Sequence, residues 1–273
     1  DSQGTIWQAT KNGYYKLENE QTWVEADHFP DTLETFTAIA IDKAGNHWLG
    51  TYKYSLTRFD GTTWQHFDTL NSALRDNDVN GITIDGNGAV WVATDGGLVR
   101  INKDRWQIYD TTNSRLPNNQ VIAIATDRQG DIWATTEKAL VKWDGAQFQR
   151  YSPDSTSSSL EHVNDLEIDQ AGNKWIATDY HYLHKFRNGK WTIYNSDTFN
   201  LSFWSINTLA PDKAGNLWIG HDDGLTRMNG NERQTYTPAN SGLPGKRVKN
   251  LFVNESTGTL WIATRGSMVK FKY

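Results

Sequence analysis

Short runs of β-branched and aromatic residues, broken by polar turns, recur along the whole chain, and the 3.6-residue spacing of an amphipathic helix appears nowhere. One stretch shows the pattern most clearly. Val79 to Ile84, Val90 to Thr94, Gly97 to Asn102 and Arg105 to Tyr109 read as four strands, separated by Asp85-Gly86-Asn87-Gly88 and Asp95-Gly96-Gly97, where glycine supplies the positive φ of tight hairpins. The stretch repeats. An Asp or Asn, a Gly and a Trp return as Asp1-Gly4-Trp7, Asp42-Gly45-Trp48, Asp85-Gly88-Trp91, Asp127-Gly130-Trp133, Asp169-Gly172-Trp175, Asp212-Gly215-Trp218 and Asn254-Gly258-Trp261. Successive Trp residues stand 41, 43, 42, 42, 43 and 43 apart.

Behind each Trp comes a small residue and then Thr, broken only at His221, and further on a basic residue recurs as Lys16, Arg58, Arg100, Lys142, Lys185, Arg227 and Lys270. An aromatic pair marks the end of four units: Trp64-Phe67, Trp106-Tyr109, Phe148-Tyr151 and Trp191-Tyr194. A period of this length with four strands per unit is that of propeller blades, whereas helical solenoids would carry 3.6-residue spacing. The fold class expected is therefore all-β, a seven-bladed β-propeller of four-stranded antiparallel blades, with residues 1–273 forming a single propeller. The first unit lacks an inner strand and the last an outer strand, and the chain starts at Asp1 with neither Met nor leader. We expect it to be a processed protein or a segment of a longer one.

Composition narrows the chemistry. With 27 Lys+Arg against 32 Asp+Glu the net charge is -5, and no basic run is long enough to neutralise successive phosphates, so nucleic acid is not an expected partner. The absence of cysteine removes disulfides, thiolate metal sites and cysteine nucleophiles. No run of 18 apolar residues is present to span a bilayer as a helix. Aromatic content is high, at 13 Trp, 11 Tyr and 10 Phe, as layered β packing requires.

The stretches Asn113-Ser-Arg-Leu-Pro-Asn-Asn-Gln-Val121 with Asp127-Arg-Gln-Gly-Asp-Ile-Trp133, and Asn240-Ser-Gly-Leu-Pro-Gly245 with Trp261-Ile-Ala-Thr264, resemble the two-component regulator propeller repeat. The resemblance extends over essentially the whole chain. It implies a sensory propeller of a hybrid histidine kinase, located in the periplasm or outside the cell and often reading carbohydrate breakdown products. Further domains of a longer sensor would then be partners. The kinase region, a membrane span and the all-β segment that commonly follows such propellers are not in this sequence.

Residues repeated in every unit are structural by default, so function is sought where a unit breaks the pattern. The basic column is expected to form repeated ion pairs or hydrogen bonds between strands. Loops between second and third strands, together with the residues leading into inner strands, are expected to converge on one face and frame a ligand funnel. They supply Tyr52 and Tyr54 in the second unit, Tyr180, His181 and Tyr182 in the fifth, and Arg265 in the seventh. The lead-in positions add Asp78, Gln120, His162, Ser205 and Arg247, with Phe203-Trp204 before the sixth inner strand. Aromatic faces stack on sugar rings while Asp, Gln, His and Arg fix hydroxyls or carboxylates, so His162, Tyr180, His181, Tyr182 and Trp204 are expected to form one wall of a saccharide or small-organic pocket. Arg247 and Lys246 with Arg265 favour an anionic ligand, or else offset Asp222 and Asp223.

No Gly-x-Ser-x-Gly, His-Glu-x-x-His, phosphate-binding loop or calcium loop is present, and no cofactor or metal is expected. Three readings remain open: a non-enzymatic sensor, a free-standing lectin-like propeller, and an enzyme similar to the seven-bladed lyases of streptogramin antibiotics, with His162 or His221 as general base.

Overall fold

The computed structural model describes residues 5–10, 13–18, 22–25, 36–103, 105–137, 139–153, 160–180, 182–195 and 205–273. Among them there is no helix. The strands form seven antiparallel sheets, five of four strands and two of three, and these are the blades of a seven-bladed β-propeller. Blade 1 contains Trp7–Thr10, Gly13–Glu18 and Thr22–Glu25. The inner strands of blades 2 to 7 are Phe36–Ile41, Val79–Ile84, Val121–Thr126, Val163–Ile168, Ile206–Pro211 and Val248–Asn254. In blade 3 the four strands fall on the residues that the apolar runs predicted, Val79–Ile84, Val90–Thr94, Gly97–Asn102 and Arg105–Tyr109.

The chain divides into two compact units, residues 1–136 with 141–150, and residues 137–140 with 151–273. In the first unit the inner strands of blades 2, 3 and 4 lie side by side, and in the second so do those of blades 5, 6 and 7.

The repeated Asp-x-x-Gly-x-x-Trp is a self-contained turn. Asp85 Oδ1 accepts the amides of Asn87 and Ala89, both at 2.9 Å, and its Oδ2 accepts Trp91 Nε1 at 3.0 Å. The same indole-to-carboxylate bond recurs from Trp48, Trp133, Trp175 and Trp218 to Asp42, Asp127, Asp169 and Asp212, at 2.8 to 3.1 Å. Gly88 takes φ 85° so that its amide can close the turn on Asp85 O, a conformation a side chain would strain. Six of the seven Trp residues are buried, and Trp7 is half-buried, stacked on Tyr14 at 5.2 Å. Aromatic residues of the outer strands cover the column: Phe67 lies on Trp48, Tyr109 on Trp91 and Tyr194 on Trp175, with ring centroids 5.4 to 6.1 Å apart.

The basic column makes some of the expected polar contacts, Lys16 with Glu18 at 2.8 Å, Lys142 with Asp131 at 2.5 Å and Arg100 with Gln107 of the facing strand at 3.1 Å, and adds a contact that spacing does not show. Each residue pairs across the ladder with the Trp of its own blade, as in Trp48↔Arg58, Trp175↔Lys185 and Trp261↔Lys270. The cation lies over the indole, 5.0 to 5.8 Å from the ring centroid, in blades 2, 3, 4, 5 and 7. Arg100 also approaches its turn carboxylate, 3.5 Å from Asp85.

The Thr column closes the hairpin at the other end of the blade: Thr94 Oγ1 donates to Gly97 O at 2.8 Å and accepts the Gly96 amide at 3.1 Å. His221 breaks the column in sequence but not in function. Its Nδ1 accepts the Asp223 amide at 3.2 Å and its Nε2 meets Thr226 Oγ1 at 3.1 Å, while burial lowers its pKa to about 4. Both ring nitrogens are engaged within the blade, which makes His221 a hairpin residue.

Candidate functional site

At the loop ends of the blades an Asn on the second residue of the inner strand acts as a clamp. Asn80 Nδ2 donates to Asp95 Oδ1 at 2.7 Å and to Val121 O of the next blade at 2.9 Å. Asn164 does the same with Asp179 at 2.8 Å and Ile206 O at 2.9 Å, and Asn207 with Asp222 at 3.1 Å and Val248 O at 2.8 Å. The clamp ties a loop carboxylate to the edge of the neighbouring blade, and the predicted site residues are arranged around it.

In the first unit, Asp78 Oδ1 accepts the Lys53 amide at 2.7 Å and so anchors the loop that carries Tyr52 and Tyr54. Both tyrosines are exposed, at 50% and 42%. Gln120 Nε2 donates to Asp95 Oδ2 at 3.2 Å, adding a third polar group to the clamp of blade 3. These four predicted residues are therefore held on neighbouring loops.

In the second unit, the His162 ring packs edge-on against Tyr180 at 5.5 Å, and Tyr180 is 55% exposed. Both residues sit in the left-handed region, at φ 51° and 60°, which disfavours bulky side chains and is held here by the Asp179 amide donating to His162 O at 3.1 Å. Ser205 Oγ donates to Asp179 Oδ1 at 2.6 Å and approaches Asn207 Oδ1 at 3.2 Å, and Arg247 Nε lies 2.7 Å from Asp222 Oδ1. A continuous polar belt thus runs from Asp179 through Ser205, Asn207 and Asp222 to Arg247. Tyr182 is half-buried, with its ring 6.0 Å from that of His184. Arg265 is exposed on the last loop. His181 and Trp204, with Phe203, lie outside the described residues.

Sequence reading missed two side chains. The inner-strand positions that face the neighbouring blade are small or neutral in the first unit: Ala38, Gly81 and Ala123 at one level, Ala40, Thr83 and Ala125 at the next. Blade 5 places Asp165 and Glu167 at these levels, opposite Ala177 and Trp175 of its own second strand. Asp165 accepts the amides of Leu166 and Leu209, both at 2.8 Å, so it holds the inner strand of blade 6. Withdrawal from water raises Asp165, and it raises Glu167 further, with the Asp165 charge adding to the rise. The signal that finds them is the contrast with the other units at the same register. A cleft of about 230 Å³ at the opposite ends of blades 5 and 6 is lined by Asp169, Trp175, Asp212 and Asn216, the residues of the repeated turns.

The family pattern described as "Two component regulator propeller" matches residues 73–96 and 115–138, the two segments that run from the Leu-containing lead-in through the Trp strand of blades 3 and 4. The chain carries two-component regulator propeller repeats. No curated protein matches the sequence. Among solved structures, the extracellular domain assigned to the hybrid two component system BT3049 from B. thetaiotaomicron is similar with a TM-score of 0.83 at 22% identity, over 100% of this chain and 38% of that one. The corresponding domain of BT4673 from the same organism gives 0.80 at 21%, over 99% and 37%. A streptogramin B lyase gives 0.77 at 15%, over 99% and 90%. The chain thus spans well under half of the two sensor domains, and at these identities the likeness is one of fold.

Proposed function

We propose that this regulator propeller is a non-enzymatic, ligand-reading part of an extracytoplasmic two-component sensor, and that it binds a saccharide or other small organic ligand at its loop ends. The observation that carries the reading is the exposure of Tyr52, Tyr54 and Tyr180 on loops, in a fold whose Trp column is otherwise packed away. A sugar ring stacks on an exposed phenol face. Within the second compact unit, the belt from Asp179 to Arg247 supplies donors and acceptors on the same loops as Tyr180. The similarity to extracellular domains of two-component systems supports the location and the signalling role. A lyase reading has less to stand on, since His221 is committed to its hairpin and the His162 ring is packed against Tyr180.

Titration calorimetry of the intact chain against a panel of neutral and acidic oligosaccharides tests the proposal. A single site per chain is expected. Several equal sites would favour a lectin, and product formed at catalytic amounts of protein would favour an enzyme.

A further inference from the structure

Blades 3, 5 and 6 build the clamp from an Asn and an Asp, but blade 7 changes both partners. Lys249 stands where Asn80, Asn164 and Asn207 stand, and Arg265 stands where Asp95, Asp179 and Asp222 stand. The register brings a third cation to the same place. Val248 pairs with Thr264, so Arg247 and Arg265 lie one residue beyond that rung on facing strands, and Lys249 is the extra residue of the bulge between Val248 and Asn250. Lys246 precedes them in the chain.

Two carboxylates are near. Asp222 is engaged by Arg247 at 2.7 Å and by Asn207 at 3.1 Å, and Asp223 follows it with its amide on His221. Neither Lys249 nor Arg265 makes a hydrogen bond or ion pair of its own among the described residues. The Lys249 ammonium is pulled below its usual range first by loss of water and then by Arg247 and Arg265, with Asp222 opposing. Like charges on facing strand positions repel, and the repeat elsewhere shows that neutral and acidic residues fit the same backbone. The double replacement thus sets positive charge where the other blades set a neutral and an acidic residue.

We propose that Arg247, Lys249 and Arg265 form an anion subsite that recognises the carboxylate or sulfate group of a small organic ligand. This rests on the loop ends being the ligand-reading face. Asp222 holds the Arg247 guanidinium through Nε, which leaves its other N–H groups for a planar acceptor, while Arg265 brings a second guanidinium and Lys249 a point charge to the same end of the blade.

The test uses the intact chain and compares glucuronate, glucose and inorganic sulfate by calorimetry at low salt. Glucuronate is expected to bind about tenfold or more tightly than glucose, a ratio that shrinks at about 0.5 M NaCl as exposed charges are screened. Competition by sulfate would show that charge alone is read, and failure to compete would show that the carboxylate with its sugar is read; either supports the subsite. The variant Lys249→Asn with Arg265→Asp restores the clamp chemistry of blades 3, 5 and 6, and is expected to fold with equal or higher Tm while losing about tenfold or more in glucuronate affinity. Arg265→Gln serves as a second, milder variant with the same direction. Equal binding of glucose and glucuronate, or an unchanged glucuronate affinity in the restored variant, overturns the subsite. If neutral oligosaccharides still bind in that case, the ligand-reading proposal stands and the anion subsite alone falls; if nothing binds, both fall.

Discussion

The two ends of each blade obey different rules. At the turn end, blades 2 to 6 place an Asp carboxylate under a buried Trp with nearly the same bond length each time. At the loop end, the residue after the Thr column is Tyr52, Asp95, Glu137, Asp179, Asp222 or Arg265 from blade 2 to blade 7. One end is a mechanical part made many times, and the other is a set of different parts carried on it. Each blade must close its hairpin and cover its neighbour, so the turn end cannot vary without loss of stability. The loop end pairs with solvent and is free to vary, which is why side chains there report on ligands.

The difference is broken most severely by removing a turn carboxylate. Asp85→Ala leaves the buried Trp91 indole N–H and the Ala89 amide without their acceptor, and it also removes the carboxylate beside Arg100. Each buried donor left unsatisfied costs about 1–3 kcal/mol, so a loss of roughly 3 kcal/mol is expected. At about 2–4 °C per kcal/mol for a chain of this size, thermal unfolding followed by circular dichroism should fall by roughly 10 °C. A shift within a degree of the parent would show that the turn is held by Gly88 and the ladder alone.

Most of the frame was legible in the sequence because it is repeated, and repetition turns weak local signals into strong ones. The strand limits of blade 3, the Asp-Gly-Trp turns and the number of blades follow from spacing alone. The basic column was legible only in part, because spacing gives the rung but not every partner: Lys142 pairs with Asp131 as expected, whereas Arg58 faces Trp48 across the ladder and lies over its indole. His221 looked like an exception with chemistry, yet an imidazole accepts a hairpin amide much as a Thr hydroxyl does. Asp165 and Glu167 were hidden in an apolar-looking strand because what makes them unusual is the face they occupy, and that is set by the bulge after Val163. The loop residues were legible as candidates only, since the polar belt depends on side-chain directions that no period encodes.

Between these extremes lies the carboxyl pair of blade 5, on a frame position but without a frame residue. Burial pushes both carboxyls above the ordinary carboxylate range, and the Asp165 charge adds to the rise at Glu167. Above the ordinary range the folded chain therefore binds more protons than the unfolded one. Stability from these groups is complete below the unfolded values and declines as pH rises through the raised folded ones, with a slope for one proton of at most about 1.4 kcal/mol per pH unit. Glu167→Gln mimics the protonated acid and takes its charge out of the seam. The variant is expected to match the parent near pH 5 and exceed it at pH 9 in urea denaturation. Parallel pH profiles for the two proteins would show that Glu167 is solvated in the folded state.

The smallest effect on stability, and the sharpest on function, is expected from Tyr180→Ala. The side chain is 55% exposed, touches His162 edge-on, and makes no part of the clamp, so its removal should change unfolding free energy by no more than about 0.5 kcal/mol. Relief of a bulky residue at φ 60° does not help, because alanine carries the same Cβ and meets the same strain. If Tyr180 is a stacking platform, the same variant weakens saccharide binding by about 1–3 kcal/mol, as expected for losing an aromatic contact at the centre of a site. Tyr54→Ala, a loop aromatic on the other compact unit, provides the internal control for position: equal losses from both would assign the ligand contacts to both sets of loops, whereas a loss from Tyr180→Ala alone would confine them to blades 5 to 7. A Tyr180→Ala chain that melts several degrees lower and binds as before would make the ring a packing residue, and would remove the distinction between the two ends of blade 5.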